Sequence, residues 1–403
     1  MNSFYVGLDW GNEKHAVCVM AADGTIVGER MLLNDGAVVS VLAAMVGGPL
    51  AGLKVAVEAR DLPVVDALVA AGCELFTVNP KQVDRFRDRY TSGGAKDDRR
   101  DARVLASALR TDPDAFRAVL VESETEMLIR LRGRAVRDCT EAFGVVANQL
   151  RAQLARYFPA VLTLCPGANE RWLWRLLRKA SMPERAARLT ERTLAALLQA
   201  CRVRKLTAAD LHASLRAERL SIAPGVELAC AEQALRLVDQ LELLAAQLSC
   251  AKKLRNEAVE QLAEQQRRER GVSDVDLVAS MPGAGETVVA TLFGEAAHLL
   301  RDRDSRNLRA LAGVAPITKA SGKSHRVVMR RSRSQMLADA LFHAARVASM
   351  NAPRFKELLA RQRARGNNYA RALRGVADRY IDVLCAVLRS GVPYDSSRYP
   401  KTA

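Results

Sequence analysis

Aromatic residues, paired cysteine motifs and long apolar runs are all scarce in this sequence. Aromatics make up 5% of the chain, which argues against a protein that stacks single-stranded bases on an aromatic platform. The eight cysteines show no CxxC spacing, so we expect reduced thiols rather than a zinc site or a disulfide framework. No apolar run is long enough to cross a bilayer, and the N-terminus has no basic region followed by an apolar core. We therefore expect a cytoplasmic protein with no membrane partner.

What the sequence does have is positive charge. The 403 residues carry a formal net charge of +16, which favours a polyanionic partner. A ribosome-associated or membrane-surface protein would show a similar excess. The charge is concentrated between Arg301 and Arg346, where eleven Lys or Arg residues face three Asp or Glu residues.

The most unusual stretch runs from Ala95 to Ala106, where acids alternate with basic residues before an apolar helix. On a helix Asp98 and Asp101 lie three positions apart and share a face, while Asp97 is better placed to cap the first turn. Like charges on one face repel unless a cation lies between them. A solvated helix start is the simpler interpretation of this stretch alone.

Two further carboxylates come directly after, or at the end of, apolar strands. Phe4 to Leu8 reads as a strand ending at Asp9, and Lys54 to Val57 as a strand ending at Glu58. Three strands followed by alternating helices and strands predict a mixed α/β sheet flanked by helices. Four carboxylates at one sheet edge suit two Mg²⁺ ions, the arrangement used for phosphoryl transfer.

Beyond this unit the pattern becomes helical. An amphipathic helix is predicted over 122–158, and a second over 226–270 carries a coiled-coil seam of leucines and alanines that only Arg255 interrupts. This seam packs against either the 122–158 helix or another subunit, and the sequence does not decide between them. We divide the chain into residues 1–115, a helical and coiled-coil region at 116–272, and a mainly α-helical C-terminal domain at 273–395.

The C-terminal domain contains two candidate nucleic-acid contacts. Gly283 and Gly285 form a Pro-Gly-x-Gly turn entering a helix, which can offer backbone N–H groups to a phosphate. Ser321 and Gly322 lie in a basic loop that could bring a hydroxyl against a phosphodiester, although an ordinary turn serine is the simpler reading. The basic candidates for nucleic-acid binding are Lys319, Lys323, Arg326, Arg330, Arg331 and Arg333.

Taken together, these motifs resemble a known family, the DEDD transposases of the IS110 insertion sequences, which are bridge-RNA-guided recombinases. The N-terminal motifs follow each other as in that family's RuvC-like, RNase H-like domain, and the C-terminal ones resemble its transposase domain. The N-terminal motifs are Gly7-Leu8-Asp9-Trp10-Gly11, Val57-Glu58-Ala59, Asn79-Pro80 and Lys96-x-Asp98-x-x-Asp101-Ala102. The C-terminal motifs are Pro282-Gly283-x-Gly285, Leu311-Ala312-Gly313 and Ser321-Gly322. Asp97 is an extra acid relative to the family pattern.

The resemblance implies specific roles. Asp9, Glu58, Asp98 and Asp101 would be a catalytic tetrad binding Mg²⁺ or Mn²⁺, and Ser321 would be the nucleophile that links covalently to DNA. It further implies donor and target DNA, a noncoding guide RNA, and assembly of a dimer or tetramer through the long helices.

Three other functions remain open. Gly7-x-Asp9-x-Gly11 resembles the first phosphate loop of sugar kinases and actin-like ATPases, but no second such loop is evident. A RuvC-like junction-resolving nuclease would use the tetrad and water, leaving Ser321 without a role. A non-enzymatic basic scaffold would explain the charge but not four carboxylates around an apolar sheet.

Overall fold

The computed structural model describes residues 4–58, 62–89, 97–119, 122–322 and 324–397. The chain divides into two compact units, residues 1–121 and 122–403. The predicted boundary between a helical region and a C-terminal domain, near residue 272, stays a prediction.

The first unit is built on a six-stranded mixed sheet in the order β3-β2-β1-β4-β5-β6. The strands β1, β2 and β3 form an antiparallel meander, β1 pairs with β4 and β4 with β5 in parallel, and β6 closes the edge antiparallel to β5. The strands are β1 (Phe4–Asp9), β2 (Lys14–Ala21), β3 (Ile26–Leu33), β4 (Lys54–Val57), β5 (Glu74–Thr77) and β6 (Arg117–Ala118). This order confirms the predicted mixed sheet and is consistent with an RNase H-like domain.

Helices cover both faces of this sheet. Alternate residues of β1 point to opposite sides, so Val6 and Leu8 pack with α1 and α2 in one core. The small buried residues Ala16 and Ala102 belong to the core on the opposite face, under α4. The helices are α1 (Val38–Val46), α2 (Pro63–Ala70), α3 (Pro80–Arg87) and α4 (Asp98–Thr111).

The second unit is largely helical. Two long helices, α5 (Glu124–Tyr157) and α11 (Pro224–Arg270), pack against each other along much of their length. Between them in sequence lie α6 (Ala160–Leu164), α7 (Arg171–Lys179), α8 (Pro183–Ala187), α9 (Glu191–Ala200) and α10 (Ala208–Leu215). After α11 come α12 (Asp274–Ala279), α13 (Glu286–Arg301), α14 (Ser305–Leu311), β7 (Ile317–Ser321), β8 (Ser324–Val328), α15 (Gln335–Asn351), α16 (Pro353–Ala364) and α17 (Tyr369–Ser390).

The structure identifies α5 as a partner of the predicted seam on α11. Ile129 shares a core with Leu262, whereas Leu150 shares a core with Leu237, so the two helices run antiparallel. Arg255, the break in the seam, is buried, and its guanidinium donates to the side chain of the neighbouring Asn256 at 2.7 Å and to Thr287 Oγ1 at 3.4 Å.

The segment between the long helices has its own apolar core with the ends of α5 and α11. Trp172 and Trp174 are buried there, and Trp174 Nε1 donates to the Ala168 carbonyl at 3.0 Å. The helices α12 to α17 surround a second apolar core, to which α5 and α11 also contribute side chains. Within the described residues no helix is long and apolar enough to cross a membrane.

Candidate functional site

Two of the predicted acids lie side by side at the end of neighbouring strands. In the parallel pairing of β1 with β4, Leu8 lies opposite Val57. Asp9 and Glu58 are the next residue on each strand, and both are half-buried. Because the carboxyl ends of parallel strands meet at one edge of a sheet, the two carboxylates share that edge.

Helix α4 crosses the sheet on the face to which Gly7 of β1 points, and the two backbones are in close contact. A Cβ built on Gly7 would lie 1.9 Å from the Ala102 carbonyl oxygen and 2.5 Å from the Ala106 nitrogen. Only glycine allows this contact between two backbones. Asp9 is two residues after Gly7 and therefore on the same face of the strand, while Asp98 is one helical turn before Ala102.

The two helical acids have different environments. Asp98 is the first residue of α4 and is exposed, whereas Asp101 is buried. Asp97 holds the N-cap position, as predicted, but its side chain makes no capping hydrogen bond. The helix start therefore presents Asp97 and Asp98 to solvent and turns Asp101 toward the protein.

The partner of Asp101 is an arginine from α3. Arg87 Nε donates to Asp101 Oδ1 at 2.7 Å, and Arg87 Nη2 donates to Oδ2 at 2.8 Å. The third guanidinium nitrogen binds Asp84 at 2.7 Å. The hydrogen bonds that Arg87 donates to Asp101 raise the pKa of Arg87 above its ordinary value. Sequence reasoning missed Arg87 because no periodicity relates it to a residue 14 positions away on another helix.

The donor chemistry of the four acids fits a hard divalent cation, because all supply carboxylate oxygens. In the part of the chain that the structure describes, however, no three His, Cys, Asp or Glu residues gather closely enough to hold an ion. The charge on Asp101 is balanced by Arg87. The tetrad thus stays a prediction, and a metal at Asp101 would meet a carboxylate whose two oxygens already accept hydrogen bonds from Arg87.

His15 on β2 makes its hydrogen bonds within the protein. It is fully buried, accepts from the Gly11 backbone N–H at 3.4 Å through Nδ1, and pairs through Nε2 with Asn34 Oδ1 at 3.1 Å.

Ser321, in the second unit, lies at the tip of a hairpin rather than in an irregular loop. It ends β7 and faces Ser324, the first residue of β8. Gly322 at the turn has φ of +53°, a left-handed value that favours glycine. Ser321, Gly322 and Ser324 are all exposed, so the hydroxyl is accessible.

The basic residues around this hairpin differ in their accessibility. Lys323 lies outside the described residues, and Lys319 is described only as a backbone position paired with Arg326. Arg326 and Arg331 are exposed, and Arg330 is half-buried.

Arg333 is half-buried and makes contacts within the protein, and its predicted nucleic-acid contact stays a prediction. A Cβ on Gly313 would lie 2.3 Å from Arg333 Cδ, so the arginine stem covers that glycine. Its guanidinium donates to Gln335 Oε1 at 3.1 Å and to the Arg330 carbonyl at 3.4 Å. Arg333 therefore helps to hold the base of the hairpin.

The Pro-Gly-x-Gly turn combines a packing glycine with an exposed one. Gly283 has φ of +83°, and a Cβ there would lie 2.5 Å from the Ala344 carbonyl oxygen on α15. Gly285 is the N-cap of α13, is exposed, and has no neighbour within 4 Å of an added Cβ. Its predicted phosphate contact stays a prediction.

Comparison with known proteins identifies the family. Residues 6–159 match the model of the DEDD transposases of IS110, and residues 275–360 match that of the IS116/IS110/IS902 family of transposases. One relative, the mini-circle putative transposase for IS117 of Streptomyces coelicolor, is 30% identical over 98% of this chain and 96% of its own length. The chain belongs to the IS110 family of transposases. It is a DNA transposase encoded by an insertion sequence.

Two other relatives agree with this assignment. The putative transposase y4uE of Sinorhizobium fredii is 41% identical, but the match spans 51% of this chain and 58% of that protein. The uncharacterized 43.6 kDa protein of insertion element IS110 from S. coelicolor is 28% identical over 97% of this chain and 95% of its own length. Membership of the family implies that the transposase binds DNA and suggests that it depends on a divalent metal.

Proposed function

We propose that this transposase cuts and rejoins DNA at an acidic metal site formed by Asp9, Glu58, Asp98 and Asp101, with Ser321 as the nucleophile. The observation that carries the proposal is the register that makes Asp9 and Glu58 neighbours at one strand end, beneath the helix that carries the other two acids. Mg²⁺ or Mn²⁺, when bound, would polarise the scissile phosphate and neutralise developing charge.

Ser321 supplies the bond-forming atom. Its Oγ attacks the phosphorus of a DNA phosphodiester, a new phosphorus–oxygen bond forms, and the bond to one strand breaks. The proton of the hydroxyl leaves with the transfer and the departing strand oxygen gains one, so charge and atoms balance. The phosphoserine link conserves the energy of the bond, and a second strand can displace the serine without ATP.

A serine hydroxyl is a weak nucleophile until a base, metal or positive field assists it. His325 is the nearest base along the hairpin, and Arg326 and Lys323 supply positive charge. We propose that further assistance comes from the tetrad, either of the same chain or of a second subunit.

The same proposal includes a noncoding guide RNA and a homo-oligomer. The RNA rests on the family resemblance. The oligomer is supported by apolar side chains on the paired long helices, where Val145 of α5 is 57% exposed and Leu243 of α11 is 60% exposed. Such side chains lie where a second pair of helices would bury them.

The tetrad is tested by replacing each acid with its amide and assaying strand cleavage on donor and target DNA. Asp9→Asn, Glu58→Gln, Asp98→Asn and Asp101→Asn should each abolish cleavage while DNA binding persists, because a hard anionic donor is lost. Asp97→Asn is the matched control, and it should cleave normally. Loss in Asp97→Asn with full activity in Asp98→Asn would show that the wrong pair was assigned.

The RNA is tested separately in the same assay. Recombination between defined donor and target DNA should require RNA that co-purifies with the protein, and it should stop after RNase treatment. Efficient site-specific recombination by RNA-free protein would contradict this part of the proposal alone.

A further inference from the structure

A cleft between α16 and α17 is lined mainly by arginines. Its volume is about 330 Å³, and it opens to solvent. The helix walls are held close, because a Cβ on Gly375 of α17 would lie 3.1 Å from Gln362 Cδ of α16. The lining residues are Arg354, Leu358, Arg361, Gln362, Arg365, Arg379 and Asp382.

The α16 wall of this arginine cleft is a single helical stripe. Arg354 and Arg361 are seven positions apart and lie on one face of α16, and Arg365 follows four positions later as the C-cap residue. At 1.5 Å of rise per residue these guanidinium groups originate about 10 Å and about 6 Å apart along the axis. Arg379, 60% exposed, faces them from α17.

The acid in the cleft is already neutralised. Of the described residues that line the cleft, Asp382 is the single acid, and Arg309 binds it from α14, outside the lining. Arg309 also binds Asp378 at 2.9 Å, and Arg379 binds Asp382 at 3.1 Å. In the described lining, arginines therefore outnumber acids four to one.

We propose that the arginine cleft binds consecutive phosphates of a nucleic-acid backbone. Guanidinium groups bind phosphate oxygens with paired hydrogen bonds, and a row of them follows a repeating anion better than a single charged group does. The described lining contains no aromatic residue, so the cleft holds the backbone and does not stack bases. Most of its lining lies beyond residue 360 in sequence, where the C-terminal family match ends, and none of the described hairpin residues lines it.

The test uses full-length protein, metal-free buffer and a short duplex DNA of arbitrary sequence, with an RNA duplex of the same sequence as a second arm. The dissociation constant is measured across salt concentrations for wild type and for the double variant Arg361→Gln/Arg365→Gln. Removing one arginine–phosphate pair should reduce the slope of log Kd against log salt by about 0.9. If Arg361 and Arg365 each bind one phosphate, the difference in affinity between wild type and variant should shrink about tenfold from 50 to 200 mM salt.

The matched control is Lys356→Gln/Arg363→Gln, which removes the same charge from the same helix. These positions are two residues away from Arg354 and Arg361, so they are rotated by about 200° and lie on the opposite face. The control should keep the wild-type slope, and Arg361→Lys/Arg365→Lys should keep most of it because the charges remain. If the slope for Arg361→Gln/Arg365→Gln falls only with the DNA duplex, the ligand is DNA. If it falls only with the RNA duplex, the ligand is RNA, and if it falls with both, the cleft binds the phosphate backbone that they share.

Three results would overturn the proposal. If Arg361→Gln/Arg365→Gln and Lys356→Gln/Arg363→Gln reduced the salt slope equally, binding would depend only on the net charge of the protein. If neither variant reduced the slope, the phosphates would bind elsewhere. Binding of polyglutamate that depends on Arg361 and Arg365, with nucleic-acid binding unchanged, would instead indicate an acidic protein partner. Because the measurement needs no metal and no cleavage, it is independent of the tetrad and of Ser321.

Discussion

Arg87 binds both carboxylate oxygens of Asp101, at 2.7 and 2.8 Å, in a pair whose acid side chain is only 2% exposed. A buried carboxylate is stable as an anion only beside a compensating cation. In this arrangement the guanidinium fills the role that a divalent ion would fill in the proposed active site. Arg87 and the metal are therefore expected to compete for Asp101.

This competition predicts an unusual response to metal. Arg87→Ala should lower the free energy of unfolding by about 3 kcal/mol, because it leaves a buried charge without its partner. Adding Mn²⁺ should restore part of that loss and should stabilise the variant more than it stabilises wild type. Thermal unfolding of both proteins, with and without Mn²⁺, measures the effect without any assay of activity.

Arg89→Ala is the control for this experiment, because Arg89 and Asp112 form an exposed pair at 2.9 Å. Its loss should cost less than about 1 kcal/mol and should not change with Mn²⁺. If Mn²⁺ raised the melting temperatures of wild type and Arg87→Ala by the same amount, Asp101 would not be a ligand for which the two cations compete.

Gly7 sets the distance between the sheet and α4. Gly7→Ala should lower the free energy of unfolding by about 3 kcal/mol, because its Cβ would lie 1.9 Å from the Ala102 carbonyl oxygen and the helix must move. Gly36→Ala, with no atom within 4 Å of the added Cβ, should be nearly neutral. Denaturant unfolding compares the two. Equal stability in both variants would show that the close contact is absent in solution.

Ser321 and Ser324 provide a matched pair of hydroxyls, because they face each other across the hairpin and both are exposed. With labelled DNA, Ser321→Ala should form no protein–DNA adduct that survives denaturant, whereas Ser324→Ala should still form it. Denaturing gels separate the adduct from free DNA. Normal recombination by Ser321→Ala would rule out the covalent mechanism and favour a hydrolytic nuclease.

Glu126 should link stability of the second unit to pH. Burial raises the pKa of its carboxyl, but hydrogen bonds from the Ser123 backbone N–H and from Arg301 outweigh it, so the pKa lies below its ordinary value of 4.5. A group whose pKa is lowered by folding stabilises the fold at pH above its unfolded pKa. This contribution is lost as the pH falls through its folded pKa.

Glu126→Gln should therefore lose about 2 kcal/mol of unfolding free energy near pH 7, because charged hydrogen bonds are lost. The difference in unfolding free energy between wild type and variant should narrow as the pH falls below 4.5 and through the folded pKa of Glu126. Glu124→Gln, exposed in the same first turn, is the control and should change stability by less than about 0.5 kcal/mol. A difference that stays constant with pH would show that the pKa of Glu126 is the same in the folded and the unfolded protein.

Local patterns in the sequence were enough to predict most helices and strands. The strand Lys54–Val57 was predicted with its observed bounds, and the long helix predicted over 226–270 begins two residues earlier, at Pro224. Alternation and helical periodicity record which face of an element is buried, and both are properties of neighbouring residues. The adjacency of Asp9 and Glu58 followed from the same logic, since each ends an apolar strand.

The hairpin around Ser321 was not predicted, because β7 and β8 are mostly exposed and leave no apolar alternation to detect. Its strands are held by their mutual pairing and by Arg333 at the base, where the stem of that arginine covers Gly313. The Ser321-Gly322 motif was predicted to lie in a basic loop, and only its cross-strand pairing in the structure shows that it lies in a hairpin turn.

By itself the sequence determined most element types and the candidate acids in their order, because local periodicity and residue chemistry are written in consecutive positions. Only the tertiary structure showed that α11 packs on α5, that α4 touches β1 at Gly7, and that Arg87 binds Asp101. Each of these is a contact between residues far apart in the chain. Such contacts depend on how whole elements dock, and the free energy of docking is shared among many side chains that no local pattern identifies.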